Sequence, residues 1–390
     1  MAPKNPIEYF DTRAWLSPHA IALPPGPVAH PELPKESGIT VWQTLQGDAK
    51  FTQFANLISS FPDLISILDG KEECTLFAIP DEVLAKPNKA LNGSLLQDLD
   101  ASEVSDVLRF HISPQYMPST YMSTAPNLPV LYSPATLNGV MLVNCKRLSE
   151  QDFLLQNTIH TTEVDELCSN GIIHVVDDML LPAPSSLEIL SRLPEHDFSV
   201  FQAGLPSTGL SDEVTKTRPK GGILFIPTNA AFERLGRSAM QFLLADTSTS
   251  RACLAVLLRY HVVLNETFYT NIHFRNPALS YDYEHAQLEG AAARTRALRH
   301  IAGTRRRTVT SWLGPRVVLD LERDAGRIEV AVNGHPILVR DGNARDGVLH
   351  ILDCVLVPPS PRLTAGEDVG LEWARVWSGE ELRARLLEWL

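Results

Sequence analysis

The chain is 390 residues long, 44% hydrophobic and 21% charged, with a formal net charge of −12 at pH 7. These shares are those of a globular protein rather than a disordered one, and the length allows two or three domains. An acidic chain lacks the basic face that phosphate binding needs, so no nucleic acid is expected as a partner; no apolar run approaches the ~18 residues that cross a bilayer, so no transmembrane span is expected either.

Residues 1–37 hold eight prolines and no periodicity, and read as an extended Pro-rich arm. Its stretch AIALPPGPVA is broken by prolines, so no signal peptide is recognisable. From Thr40 the apolar residues Val41, Leu45, Phe51, Phe54, Ile58, Leu64 and Leu68 recur at helical spacing and predict two or three short helices. A strand follows over Thr75 to Ile79, then an amphipathic helix from Glu103 to Phe110, ended by His111. VLYSPATLNGVMLVNC reads as a hairpin turning at Asn138 and Gly139. Ile172 to Leu181 is mostly apolar and reads as a buried, central closing strand.

The second half repeats the order. Helices begin at Leu187, a strand covers Ile223 to Ile226, a helix covers Ala252 to Tyr260, and the strands RVVLDL, RIEVAVNG and HPILV precede a closing strand, Val348 to Leu356. Beyond Pro361, Ser378 and Glu381 form a capping box before the apolar stripe Leu382, Leu386, Trp389 and Leu390. That helix is expected to dock on its own domain, with partner binding as the alternative.

Three boxes recur in one order. TLFAIPDEVL answers to ILFIPTNAAF, VLRFHIS to LLRYHVV, and GIIHVVDDMLLP (Gly171 to Pro182) to GVLHILDCVLVP (Gly347 to Pro358). Phe77 and Phe225 stand 148 residues apart, His111 and His261 150, and His174 and His350 176, so the second copy carries about 26 extra residues between its last two boxes. This insert is expected to be a surface loop or an added hairpin. It contains RTRALRHIAGTRRR, ending in Arg305, Arg306 and Arg307, which reads as a solvated loop or as an anion site. Helices followed by strands, twice, make the fold class α+β.

The boxes resemble the fasciclin domain, whose signatures are similar to TxFAPTxxAF, a central YH and NGxIHxIDxVLxP. The chain is thus identified as similar to a tandem fasciclin-domain protein of fungal type, each domain a bundle of short helices on a β-wedge or sheet. The expected organisation is an arm over 1–37, domains over 38–182 and 185–358, and a C-terminal extension over 359–390. The resemblance implies an adhesive role for the YH region, carried here by Tyr260 and His261; Phe110 replaces the tyrosine beside His111. It also implies a secreted or vacuolar location, to which the sequons at Asn92 and Asn265 would add glycosylation.

No GxSxG, HExxH, GxGxxG or P-loop is present, and the five cysteines have neither CxxC nor metal-ligand spacing. Neither cofactor nor metal is expected. The recurrent His111, His174, His261 and His350 are the catalytic candidates by residue type, against a structural role in satisfying backbone groups; Asp177 and Asp353 are expected in turns or caps. Three functions are open. One is a non-catalytic interaction or adhesion protein. Another is an accessory in fungal aromatic-polyketide pigment or toxin biosynthesis, whose partner is an oxidase of laccase type or a small aromatic ligand held by tryptophans such as Trp15, Trp312, Trp373, Trp377 and Trp389. The third is an enzyme using a histidine and a carboxylate.

Overall fold

The computed structural model describes residues 32–34, 38–86, 96, 99–123, 125–137, 139–217, 219–270, 303–324, 327–361 and 375–390. Most of the Pro-rich arm, Asn92, Trp15, Trp373 and the insert's arginines before residue 303 lie outside them.

The first unit runs α1 (Val41–Gly47), α2 (Thr52–Ser59), α3 (Pro62–Leu68), β1 (Cys74–Ala78), α4 (Asp81–Leu84), α5 (Ala101–Phe110), β2 (Ile112–Ser113), α6 (Ser119–Met122), β3 (Asn127–Pro129), β4 (Leu142–Arg147), β5 (Phe153–Leu155), β6 (Ile159–Cys168) and β7 (Gly171–Val176). Capping boxes of Thr40 with Gln43 and Asp100 with Glu103 satisfy the free amides that start α1 and α5. The second unit runs α7 (Ser186–Arg192), α8 (Glu195–Ser207), α9 (Leu210–Thr217), β8 (Gly222–Pro227), α10 (Asn229–Arg234), α11 (Arg237–Leu243), α12 (Ser248–Tyr260), β9 (Val262–Leu264), β10 (Gly303–Thr310), β11 (Arg316–Asp324), β12 (Arg327–Val332), β13 (His335–Ala344), β14 (Gly347–Leu352) and α13 (Gly379–Leu387).

Each unit has a seven-stranded sheet in the same order, β2-β1-β7-β6-β5-β4-β3 and β9-β8-β14-β13-β12-β11-β10. The closing strand lies inside each sheet as expected, parallel to the first strand and antiparallel to the strand before it. Parallel pairing puts Gly171 opposite Cys74, where a Cβ on the glycine would stand 2.2 Å from the Cys74 carbonyl oxygen. At Gly347 the corresponding distance, to the Gly222 oxygen, is 2.3 Å. Only glycine permits that approach, which explains the first letter of the repeated phrase.

Three expectations are corrected. The closing strands end at Val176 and Leu352, earlier than Leu181 and Leu356, because the Leu180 and Leu356 amides are taken by histidine rings instead of a neighbouring strand. The regular partner of β4 is β3, upstream of the expected run; within that run Val130 N–H bonds Met141 O at 3.2 Å and Met141 N–H bonds Tyr132 O at 2.8 Å, Pro134 has no amide to extend the ladder, and Asn138 of the expected turn lies outside the described residues. Finally, Arg305, Arg306 and Arg307 belong to a strand, β10, not to a loop. As β3 begins 16 residues after His111 and β10 42 after His261, the extra 26 residues fall between β9 and β10.

The capping box at Ser378 is present, and α13 docks on its own unit. Trp377, Leu382 and Leu386 are buried in the second core, Trp377 N–H bonds Leu235 O at 2.7 Å, and Trp389 Nε1 bonds Pro359 O at 2.9 Å. Trp42 is buried in the first core and Trp312 packs against the second, so these described tryptophans serve packing.

Two stability measurements check this packing. Gly347→Ala must move β14 away from β8, and urea unfolding should report a loss of roughly 1–3 kcal/mol, as for an overpacked core. Leu386→Ala should cost about 2–5 kcal/mol by the same assay, and deleting residues 375–390 should lower the melting temperature further; an unchanged midpoint would show the helix to be dispensable.

Candidate functional site

The four repeated histidines are all fully buried. His111 and His261 cap the C-termini of α5 and α12. His111 Nδ1 lies 2.8 Å from Phe77 O, and its Nε2 receives the Leu180 N–H at 2.9 Å. His261 Nδ1 lies 2.8 Å from Leu257 O, and its Nε2 receives the Leu356 N–H at 2.9 Å. A carbonyl can only accept and an amide can only donate, so both rings are neutral with the proton on Nδ1. Burial, outweighing these backbone bonds, pushes both pKa values down from 6.5 to about 4.

His174 and His350 sit in β7 and β14, stacked on Phe77 and Phe225 with ring centroids 5.7 and 5.8 Å apart. Their Nε2 atoms face Met117 O at 2.8 Å and Phe268 O at 3.1 Å. Their Nδ1 atoms each accept an amide at 3.3 Å, from Asp165 and Asp341. These rings therefore hold the proton on Nε2, and burial again lowers their pKa. In all four rings both nitrogens are committed to the backbone.

The two aspartates were not singled out by sequence reasoning. Asp165 and Asp341 stand nine residues before His174 and His350, a repeat legible in the sequence. Both have positive φ, 64° and 57°, inside the bulges of β6 and β13. Asp165 accepts the Ser119 N–H at 2.7 Å and the Ser119 hydroxyl. Asp341 accepts the Thr270 N–H at 3.0 Å and the Thr270 hydroxyl, and in addition Asn127 Nδ2 of the first unit at 3.0 Å. Asn144 Nδ2 to Asp341 O at 2.9 Å, Asn343 Nδ2 to Leu142 O at 2.7 Å, Thr136 Oγ1 to Arg345 O at 2.8 Å and Gly221 N–H to Thr136 O at 2.8 Å extend this polar contact between the units.

Tyr260 is buried with His261, so neither presents a surface to an adhesive partner. The Tyr260 hydroxyl donates to Arg316 O and accepts from Asn333 Nδ2, both at 3.0 Å, while Asn333 Oδ1 accepts the Val318 N–H at 2.8 Å. Phe110, in the equivalent place, instead meets Tyr132 edge to face. Arg306 pairs with Asp320 at 2.6 Å and Arg307 with Glu266 at 3.1 Å, while Arg305 is exposed. They line an edge strand, where charge discourages unwanted pairing. Asn265 is exposed at φ 62°, its Oδ1 accepting the Lys220 N–H. Asp177 accepts the His160 N–H at 2.8 Å just past β7, and Asp353 pairs with Arg234 and His335. All five cysteines are buried free thiols, and burial pushes Cys74 and Cys354 up to about 12.

A cleft of about 40 Å³ lies beside Leu205, Val214, Ile223, Val263 and Asp346. It has room for a few water molecules. Among the described residues no group of three or more His, Cys, Asp or Glu side chains is placed to hold a metal ion, and no helix is long and apolar enough to cross a membrane.

The buried rings set a pH dependence. The folded chain keeps His111 and His261 neutral down to about pH 4, whereas the unfolded chain protonates them near 6.5. Stability is therefore full above pH 6.5 and falls as pH drops toward 4, by about 1.4 kcal/mol per pH unit for each ring. Urea unfolding between pH 7 and 5 should show this loss, and His261→Gln should reduce the slope by one proton. A flat profile would contradict the arrangement.

Residues 49–182 and 196–358 match the family model described as Fasciclin domain. The chain is 26% identical over 354 residues to the Aurofusarin biosynthesis cluster protein S of Gibberella zeae, covering 86% of this chain and 81% of that protein. It is 26% identical over 204 residues to periostin of Homo sapiens, covering 50% of this chain and 22% of periostin. A solved FAS1 domain pair from the insect cell adhesion molecule fasciclin I aligns over 82% of this chain and 98% of its own at 16% identity, with a TM-score of 0.33. Each of the two matched stretches contains one seven-stranded sheet with its own copy of the two repeated, fully buried histidines, and the chain belongs to the fasciclin domain family as a tandem pair.

Proposed function

We propose that the protein is a binding component of an aromatic-polyketide pathway, a tandem interaction module that works beside an oxidase of laccase type and does not itself turn over substrate. Fasciclin domains are interaction domains, and the observation that carries the non-catalytic half of this reading is the state of the repeated histidines. A general acid or base must reach the proton it transfers, and these four rings are sealed from solvent with both nitrogens occupied by backbone groups. Support for the pathway comes from the Gibberella zeae relative, which is named for an aurofusarin biosynthesis cluster and aligns along most of both chains.

Phenolic monomers incubated with the purified chain alone, with a laccase-type oxidase alone and with both should separate the readings. No consumption by the chain alone and a changed ratio of coupled products in the mixture are expected. Turnover by the chain alone, or identical product ratios with and without it, would overturn the proposal.

A further inference from the structure

The same face exists once in each domain, and among the described residues only the second copy is covered. β6 and β13 pair with β7 and β14 in one register, with register shifts at equivalent places, so that Asp165 corresponds to Asp341 and Leu167 to Asn343. In the second domain this face is sealed by the first: Asp341 and Asn343 are 3% and 4% exposed and bond to Asn127 and Leu142. In the first domain Asp165 is half-buried and Leu167, an apolar side chain, is 36% exposed. Glu166, between them in sequence, points to the opposite side of the strand, toward Lys50 and Asp48.

The covering element also has a second copy. The β3–β4 pair corresponds to β10–β11, because the Asn144 and Val318 carbonyls both accept the amide of the first residue in the turn that leaves the next strand, Gln156 and Asn333. That register places Thr308 where Asn127 stands and Arg316 where Leu142 stands. Thr308 and Arg316 are both exposed. Thr308 can donate a hydrogen bond to a carboxylate, as Asn127 does to Asp341. Arg316 is a cation, and the open face carries the carboxylate of Asp165.

We propose that the chain associates with a second copy of itself head to tail, the β10–β11 strands of one copy covering the Asp165–Leu167 face of the next in the way the first domain covers the second within each chain. Such a contact uses two different surfaces, so it does not saturate at a dimer unless the rotation closes a ring.

Sedimentation velocity on the full chain tests this. The weight-average mass of the wild type should rise with concentration beyond that of a dimer. Leu167→Arg sets cation against cation at Arg316 and Arg316→Glu sets an anion against the Asp165 carboxylate, so each variant alone should stay monomeric. A mixture of the two should associate again, since each supplies the charge that the other lacks. Unchanged melting temperatures would show that both variants fold. A wild type that is monomeric at every concentration overturns the proposal, as does a mixture that stays monomeric. Association appearing only after deletion of residues 1–37 would give the face to that segment and would overturn it as well.

Discussion

A histidine sealed inside a sheet must have both ring nitrogens answered, because an unpaired polar atom in a core costs about 1–3 kcal/mol. Each domain meets this condition twice, and much of its chain path follows from how. The helix-end rings, His111 and His261, take the amides of Leu180 and Leu356, which pulls the segment after the closing strand across the core and off the sheet. The strand rings, His174 and His350, take the amides of Asp165 and Asp341, which holds the preceding strand in a bulge with positive φ. Stacking on Phe77 and Phe225 fixes the plane of each strand ring, and Gly171 and Gly347 let the strands approach closely enough for that stacking. The repeated phrase is thus a set of joint solutions to one packing problem, in which glycine, histidine and the residues after them depend on each other.

This explains which parts of the structure were legible in the sequence. The closing strands, the helices ending at His111 and His261, and the capped C-terminal helix could be read because each rests on a local pattern: an apolar run, a 3.6-residue period or a capping box. The ends of the closing strands could not, since Leu180 is as apolar as a strand residue and only its distant partner, His111, removes it from the sheet. Arg305 to Arg307 read as a solvated loop because three consecutive charges give no alternation, although Val309 and the pairing with β11 make the segment a strand. The aspartates of the bulges were visible as a repeat, yet nothing local says that an aspartate five residues before an Asn170 or an Asp346 is buried by a chain segment far upstream. The fold was legible where the forces are local; the site was hidden where a partner lies tens of residues away.

The two copies differ where their surroundings differ. The Tyr260 hydroxyl joins α12 to the strand edge at Arg316 and, through Asn333, to the turn between β12 and β13, a link that Phe110 cannot make. Asp341 is buried deeply enough that its charge must be matched by donors. Thr270 supplies two of these, and the third, Asn127, comes from the other domain. Asp165 lies nearer to solvent, and the paired donors of Ser119 suffice.

The duplicated interior and the diverged surface therefore carry different tasks. A residue that answers a buried nitrogen in both copies is fixed by the fold and has little freedom to recognise anything else. What can recognise a partner is what one copy has and the other lacks: the amide of Asn127 against Thr308, the apolar Leu167 against Asn343, and the arginines on β10. Domain two is completed by domain one through such differences, and the same chemistry, turned outward, is where contact with another protein can form.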